Sequence, residues 1–357
     1  MDKTMYDYFM EQPQVLTNIY LDRKALTAPF VELYQKEKPD RLYIIASGSS
    51  LNASLAACDF MGRMLGIEVG AYPPSNLPDI HAKHPLFLFV SQGGNSTNTI
   101  AAIEKLRGNP MMALTGSETC RINELCAYTL IGCGIETAGP KTKGYTGTVL
   151  ILSLMALEAA RAAQAIAQED YERALADFKK ALDHLAADQQ AVCEWYARNE
   201  KTLLEMEKCV VVGKNVGAQT AKESTLKLQE TVLIPVSGYE FEEFLHGPSM
   251  AIDEKMGGIY LMPPQDDPDY ARMTALVRFH RSICPMVYAI SGGPDLAQQE
   301  DCPAGADNAW YARNFVWSLP CQIIGARRPE RTGTQTKGLD MFWKLDAALN
   351  IKYLGRA

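Results

Sequence analysis

Residues 86–90, Leu-Phe-Leu-Phe-Val, are an uninterrupted apolar run that ends in Ser91-Gln92-Gly93-Gly94-Asn95-Ser96-Thr97, and a helical stretch then continues to about Leu106. A run this short suits a strand buried on both faces. A small-residue turn leading into a helix points backbone N–H groups at whatever lies beyond the strand's end. The pattern recurs at residues 42–46, which run into Ser47-Gly48-Ser49-Ser50 and an alanine-rich helical stretch to about Leu65. Residues 67–72, 111–115 and 127–132 complete a five-strand series. Strands alternating with helices imply right-handed crossovers and a parallel sheet covered on both faces. Ligands of such sheets bind beyond the carboxyl ends of the strands, where the turns at 47–50 and 91–97 lie.

From about 145 to 198 the chain is alanine-rich and nearly free of glycine and proline, which predicts two long helices. A second strand–turn–helix series begins at Cys209, with a glycine turn at 213–217, a helix through 226–230, a strand-like run at 231–236, and strands at 257–262 and 285–290. The expected fold is α/β: two domains, each a five-stranded parallel sheet flanked by helices in three layers, joined by long helices. The expected division is lead-in helices at 1–40, a first domain at 41–165, a linker helix at 166–200, a second domain at 201–335 and a tail at 336–357.

Chemistry concentrates at two places. The loop at 91–97 is the most phosphate-friendly segment. Two glycines let the backbone approach an anion, hydroxyls and the Gln92 amide can donate, and a helix N-terminus follows. It has neither the Walker signature nor GxGxxG, so one phosphate on a small sugar fits better than a nucleotide. In the second series, Lys227 and Glu230 share a helix face, and an acidic turn with Glu240, Glu242 and Glu243 leads to His246-Gly247-Pro248. A carboxylate and a histidine can form a general acid–base pair. The same residues also fit a solvated acidic turn with a chance histidine.

Three segments in order resemble the sugar isomerase (SIS) domain family. They are residues 91–96 against its SQSGET phosphate loop, residues 134–146 against AGTEIGVASTKAFT, and LKLQE with GYEFEEFLHGP against the second half of the isomerase part of glucosamine-6-phosphate synthase and the related fructosamine-phosphate deglycases. The resemblance implies that Glu230 is the proton-transfer base and that His246 opens the sugar ring or protonates a leaving amine; Lys227, one helical turn from Glu230, would orient it or stabilise the enolate oxygen. It implies phosphate and sugar binding at Ser47, Gly48, Ser49, Ser50, Ser91, Gln92, Gly93, Asn95, Ser96, Glu136 and Lys141. Gly93 stands where the family has a serine, Asn95 replaces its glutamate, and Lys141 replaces a sugar-binding serine. A lysine at 141 could meet an added negative charge on the substrate, or be a solvated loop charge. In the family the histidine is contributed across a dimer interface, which implies a homodimer or higher homo-oligomer, and the tail covers the site, a role open to Lys337 or Lys352.

The remaining composition sets limits. A formal net charge of −7 with no basic stripe argues against a nucleic-acid partner. No apolar run reaches the ~18 residues of a membrane span. Nine scattered cysteines show no metal spacing, and their odd count without a leader suggests reduced thiols in a cytoplasm. His81 and His84 read as surface-loop residues, so no metal and no organic cofactor are expected. Nothing at the N-terminus resembles the glutaminase half of the synthase. Together with Lys141, this favours a deglycase that splits a 6-phosphorylated fructosamine or glucosamine adduct of an amino acid into hexose 6-phosphate and free amine. The alternatives are an aldose–ketose or aminosugar-phosphate isomerase and a phosphosugar-binding protein without turnover.

Overall fold

Among the described residues, nine short runs become strands: β1 (Arg41–Ala46), β2 (Glu68–Tyr72), β3 (Pro85–Ser91), β4 (Met111–Thr115), β5 (Tyr128–Ile131), β6 (Lys208–Gly213), β7 (Val236–Glu240), β8 (Met256–Leu261) and β9 (Val287–Ile290). They come from a computed structural model that describes residues 3–352. The helices are α1 (Met5–Met10), α2 (Gln12–Leu21), α3 (Arg23–Glu37), α4 (Ser49–Leu65), α5 (Thr97–Lys105), α6 (Arg121–Leu125), α7 (Lys143–Ala162), α8 (Gln168–Glu205), α9 (Val216–Thr231), α10 (Phe241–Leu245), α11 (Tyr270–Ile283), α12 (Asn314–Trp317), α13 (Leu319–Thr332) and α14 (Lys337–Leu349). Two compact units result. One takes the residues through Pro13 and Asp177–Gly338; the other takes Gln14–Ala176 and the chain from Leu339 onward. The division falls inside α8, within the helix expected as the linker at 166–200; it also splits the lead-in helices at Pro13 and groups the tail with the first sheet.

The unit with the first sheet has five parallel strands in the order β2-β1-β3-β4-β5. Phe87, Phe89, Tyr43 and Ile45 are fully buried on one face with Ile103 and Ile122. Helix α7 is buried on nearly all sides from Lys143 to Ala160, as expected of a helix that is hydrophobic all round. Each of its fully buried Leu and Ile side chains contributes roughly 2 kcal/mol.

The second unit's sheet has four parallel strands, β7-β6-β8-β9, not five. The position of the fifth is reduced to a single parallel bridge, Ile290 to Cys302. Residues 291–308 carry Gly, Pro, Asp and Gln where a buried strand would need consecutive apolar side chains. Residues 231–236 are not a strand either. Thr231 closes α9, Leu233 takes a positive φ of 62°, and β7 starts only at Val236.

His280 on α11 is fully buried. Its Nε2 lies 2.8 Å from the Met256 carbonyl, so that nitrogen donates and Nδ1, 2.8 Å from the Tyr260 hydroxyl, accepts. Burial holds its pKa below the ordinary histidine value. The native state therefore refuses a proton that the unfolded chain accepts. Stability should be level above about pH 6.5 and fall by about 1.4 kcal/mol per pH unit below it, until the depressed native pKa is passed. Denaturant titrations between neutral and mildly acidic pH check this: His280→Gln should flatten the slope, and an unchanged slope would remove His280 as its source.

Candidate active site

The strand order of the first sheet reverses at β1, with β2 on one side and β3 on the other, so the loops after β1 and β3 open at a topological switch point. Gly48, the N-cap of α4, has φ 58°, a conformation that glycine adopts without strain. Ser49 and Ser50 open that helix, and Ser96 caps α5. Ser91 and Ser96 are buried with their hydroxyl oxygens 3.5 Å apart, and Ser47 Oγ accepts from Asn98 Nδ2 at 3.0 Å. Among the described residues, the backbone N–H groups of Gly93 and Asn95 have no acceptor. Two helix N-termini, free amides and hydroxyls make a cradle suited to one small anion.

The tail completes this cradle. Lys352 pairs with Ser96 in an antiparallel bridge, and its Nζ donates to Ser96 Oγ at 3.1 Å. The Thr97 N–H donates to the Ile351 carbonyl at 3.2 Å, and the Lys352 N–H to Asp346 Oδ1 at 2.7 Å. Burial lowers the Lys352 ammonium pKa from its usual value, with Asp346 opposing. An anion bound at Ser96 would meet this ammonium. Lys352→Ala should weaken sugar-phosphate binding on the order of tenfold or more, the loss of one charge-assisted bond. Calorimetric titration checks it, and unchanged affinity would detach the tail from the phosphate.

Four other residues assigned by sequence also tie the loops together. The Gln92 amide donates to the Gly134 carbonyl at 2.8 Å. Asn95 Oδ1 accepts the Arg121 N–H at 3.1 Å, tying the loop to the start of α6. Glu136 is buried, and its carboxylate accepts from the Thr142 N–H, the Thr142 hydroxyl and the Gly144 N–H at 2.6–3.1 Å. It fills the N-terminus of α7 as the helix's own anion. Lys141 Nζ donates to the Glu136 carbonyl at 2.9 Å.

In the unit with the second sheet, α9 carries the acid–base candidates. Lys227 is fully buried, with its ammonium facing Glu223 Oε1 at 3.4 Å and bonded to Glu230 Oε1. Glu223 is also fully buried, whereas the Glu230 side chain is about one-third exposed (34%). The i−4, i, i+3 spacing puts all three on one helix face. The start of the tail presses on the same point: a Cβ at Gly338 would sit 2.0 Å from the Glu230 carbonyl oxygen. His246 caps the C-terminus of α10 and is exposed, and among the described residues its ring makes no hydrogen bond. Sequence reasoning missed Glu223, although its spacing of four from Lys227 is visible. It also missed Asn98, and named Lys352 only as an alternative. Among the described residues no group of His, Cys, Asp and Glu gathers as a metal site, and no helix is long and apolar enough to cross a membrane.

A doubly wound parallel sheet with an anion cradle at its switch point, and a second parallel unit with a buried lysine between two carboxylates, accompany a clear likeness: the chain is similar to phosphosugar isomerases of the sugar isomerase (SIS) kind. The glutamine–fructose-6-phosphate aminotransferase (isomerizing) of Oceanobacillus iheyensis is 28% identical over 324 residues, covering 84% of this chain and 52% of that protein. The chain thus spans about half the length of the curated relatives it matches. A candidate phosphosugar isomerase from Clostridium difficile 630 superposes with a TM-score of 0.83 at 26% identity, covering 93% of this chain and 94% of that one. A candidate sugar-binding protein from Salmonella typhimurium LT2 gives 0.80 at 29% identity, covering 91% and 99%. No protein-family model matches the chain.

Proposed function

We propose that this chain is a phosphosugar deglycase, splitting a 6-phosphorylated fructosamine or glucosamine adduct of an amino acid into hexose 6-phosphate and free amine. The observation that carries the enzymatic reading is the Glu223–Lys227–Glu230 cluster, because a binding protein gains nothing from a buried ammonium held beside a half-open carboxylate. Glu230 moves a proton between C1 and C2 of the open-chain sugar. Lys227 orients Glu230 and stabilises the negative oxygen that develops on the sugar. The loop at 91–96 holds the 6-phosphate, with Ser47, Ser49, Ser50 and Lys352 around it. His246, exposed and with no ring hydrogen bond among the described residues, is presented to a substrate held by a second copy, where it opens the ring or protonates the departing amine. Lys141 at the sugar-binding position favours a substrate with an extra carboxylate, and so the deglycase.

The second reading is an aldose–ketose or aminosugar-phosphate isomerase using the same residues; the curated relative's name, an isomerizing aminotransferase, favours it. Incubation with fructoselysine 6-phosphate, read by free lysine, separates the two. Release of amine supports the deglycase. Interconversion of fructose 6-phosphate or glucosamine 6-phosphate without amine release from the adduct supports the isomerase. Tight phosphosugar binding with no turnover of any of them would overturn both.

A further inference from the structure

Asn98 stands in the first turn of α5, beside the anion cradle. Its Oδ1 accepts the Thr99 N–H at 2.8 Å, one of the first N–H groups that a helix leaves without an internal partner. That bond fixes which end of the amide is which, and it leaves Nδ2 to donate to Ser47 Oγ at 3.0 Å. The residue that follows β1 is thereby tied to the helix that follows β3.

A hydroxyl carries one hydrogen and two lone pairs. Asn98 takes a lone pair of Ser47, so the Ser47 hydrogen is turned away from Asn98, and among the described residues it has no acceptor. Ser96 is engaged in the same sense by a cation, since Lys352 Nζ donates to its Oγ at 3.1 Å. Among the described residues the Gly93 and Asn95 N–H groups have no acceptor either. The acids tied to these loops are spent elsewhere: Glu136 on the N-terminus of α7, and Asp346 on the Lys352 N–H. Ser47, Ser96 and the two amides are thus all set to donate. At Ser47 the group that sets this polarity is a neutral, exposed carboxamide.

We propose that Asn98 is a positioning residue: it holds the Ser47 oxygen as an acceptor and so directs the Ser47 hydrogen to a phosphate oxygen of the substrate. This rests on the reading of the loops after β1 and β3 as the phosphate site. Asn98→Asp would reverse the bond. Ser47 would then donate to the new carboxylate, and the cradle would lose a donor and gain a negative charge.

Calorimetric titration with fructose 6-phosphate and with inorganic phosphate tests this on wild type, Ser47→Ala, Asn98→Ala, Asn98→Asp, each Asn98 variant combined with Ser47→Ala, and Lys352→Ala. Ser47→Ala should weaken binding about fivefold, roughly the worth of one hydrogen bond. Asn98→Ala should weaken it less, since Ser47 keeps its hydrogen and loses only its orientation. Asn98→Asp should weaken it about tenfold or more, through the lost donor and the added charge together. In the Ser47→Ala background Asn98→Ala should add nothing, and Asn98→Asp should keep only the part of its effect that comes from charge. Asn98→Asp should melt at or above the wild-type temperature, because an acid in the first turn of a helix is favourable, so its weaker binding is not unfolding. Wild-type affinity in Asn98→Asp, or an effect of Asn98→Ala that is as large in the Ser47→Ala background as alone, would overturn the assignment. If Lys352→Ala weakens binding while every Asn98 variant binds as the wild type does, the phosphate site stands and the role of Asn98 falls. If the wild type binds neither ligand, both fall.

Discussion

Glu230→Gln should lower turnover of the sugar phosphate by about 10²- to 10⁴-fold, the usual contribution of a positioned general base. The substitution keeps the shape of the side chain and an oxygen for Lys227 to bond, while removing the group that takes the proton. Because the side chain is about one-third exposed (34%), folding stability should change little. Sugar-phosphate affinity should also stay near that of the wild type, since the anion cradle lies at the loops after β1 and β3. Steady-state rates alongside equilibrium binding read both halves. A variant that turns over normally would show that another group moves the proton.

Lys227→Met should cost the fold about 3–5 kcal/mol, seen as a lower denaturant midpoint at an unchanged slope. The lysine and Glu223 are each 1% exposed, and the substitution takes away the ammonium that faces both carboxylates of α9. Methionine fills much of the same volume, so the loss is of charge compensation and not of packing. Pairing Lys227→Met with Glu223→Gln should restore a large part of the stability but none of the activity. If the double variant is no more stable than the single one, the buried pair is not what holds this helix face.

Much of this architecture was legible in the sequence because parallel strands buried on both faces read as short apolar runs, and the runs at 42–46, 86–90 and 209–212 lead into turns with glycine or serine. Periodicity failed where that signal thins. At Cys302 one strand position survives only as a bridge, and at residues 231–236 apolar residues follow α9 without forming a ladder. The motif at 91–96 pointed to the loop where backbone amides and hydroxyls gather, but residue type could not say which way each side chain turns. Gln92, Asn95 and Glu136 look like ligands by chemistry and are drawn into the scaffold by tertiary contacts. At Gly144 a Cβ would sit 2.3 Å from Gln92 Nε2 and 2.6 Å from Glu136 Oε1, an approach that no local pattern announces. Lys352 reaches Ser96 across 256 residues of sequence, so its contact with the cradle is a property of the fold alone.

The proton transfer assigned to Glu230 can be observed without knowing the amine. Fructose 6-phosphate is incubated with the chain in D₂O, and NMR follows deuterium entering at C1. Wild type should exchange that hydrogen with solvent, and Glu230→Gln should bind the sugar and leave it protonated. Saturating sugar with no exchange by the wild type, or equal exchange by both, would contradict the central claim.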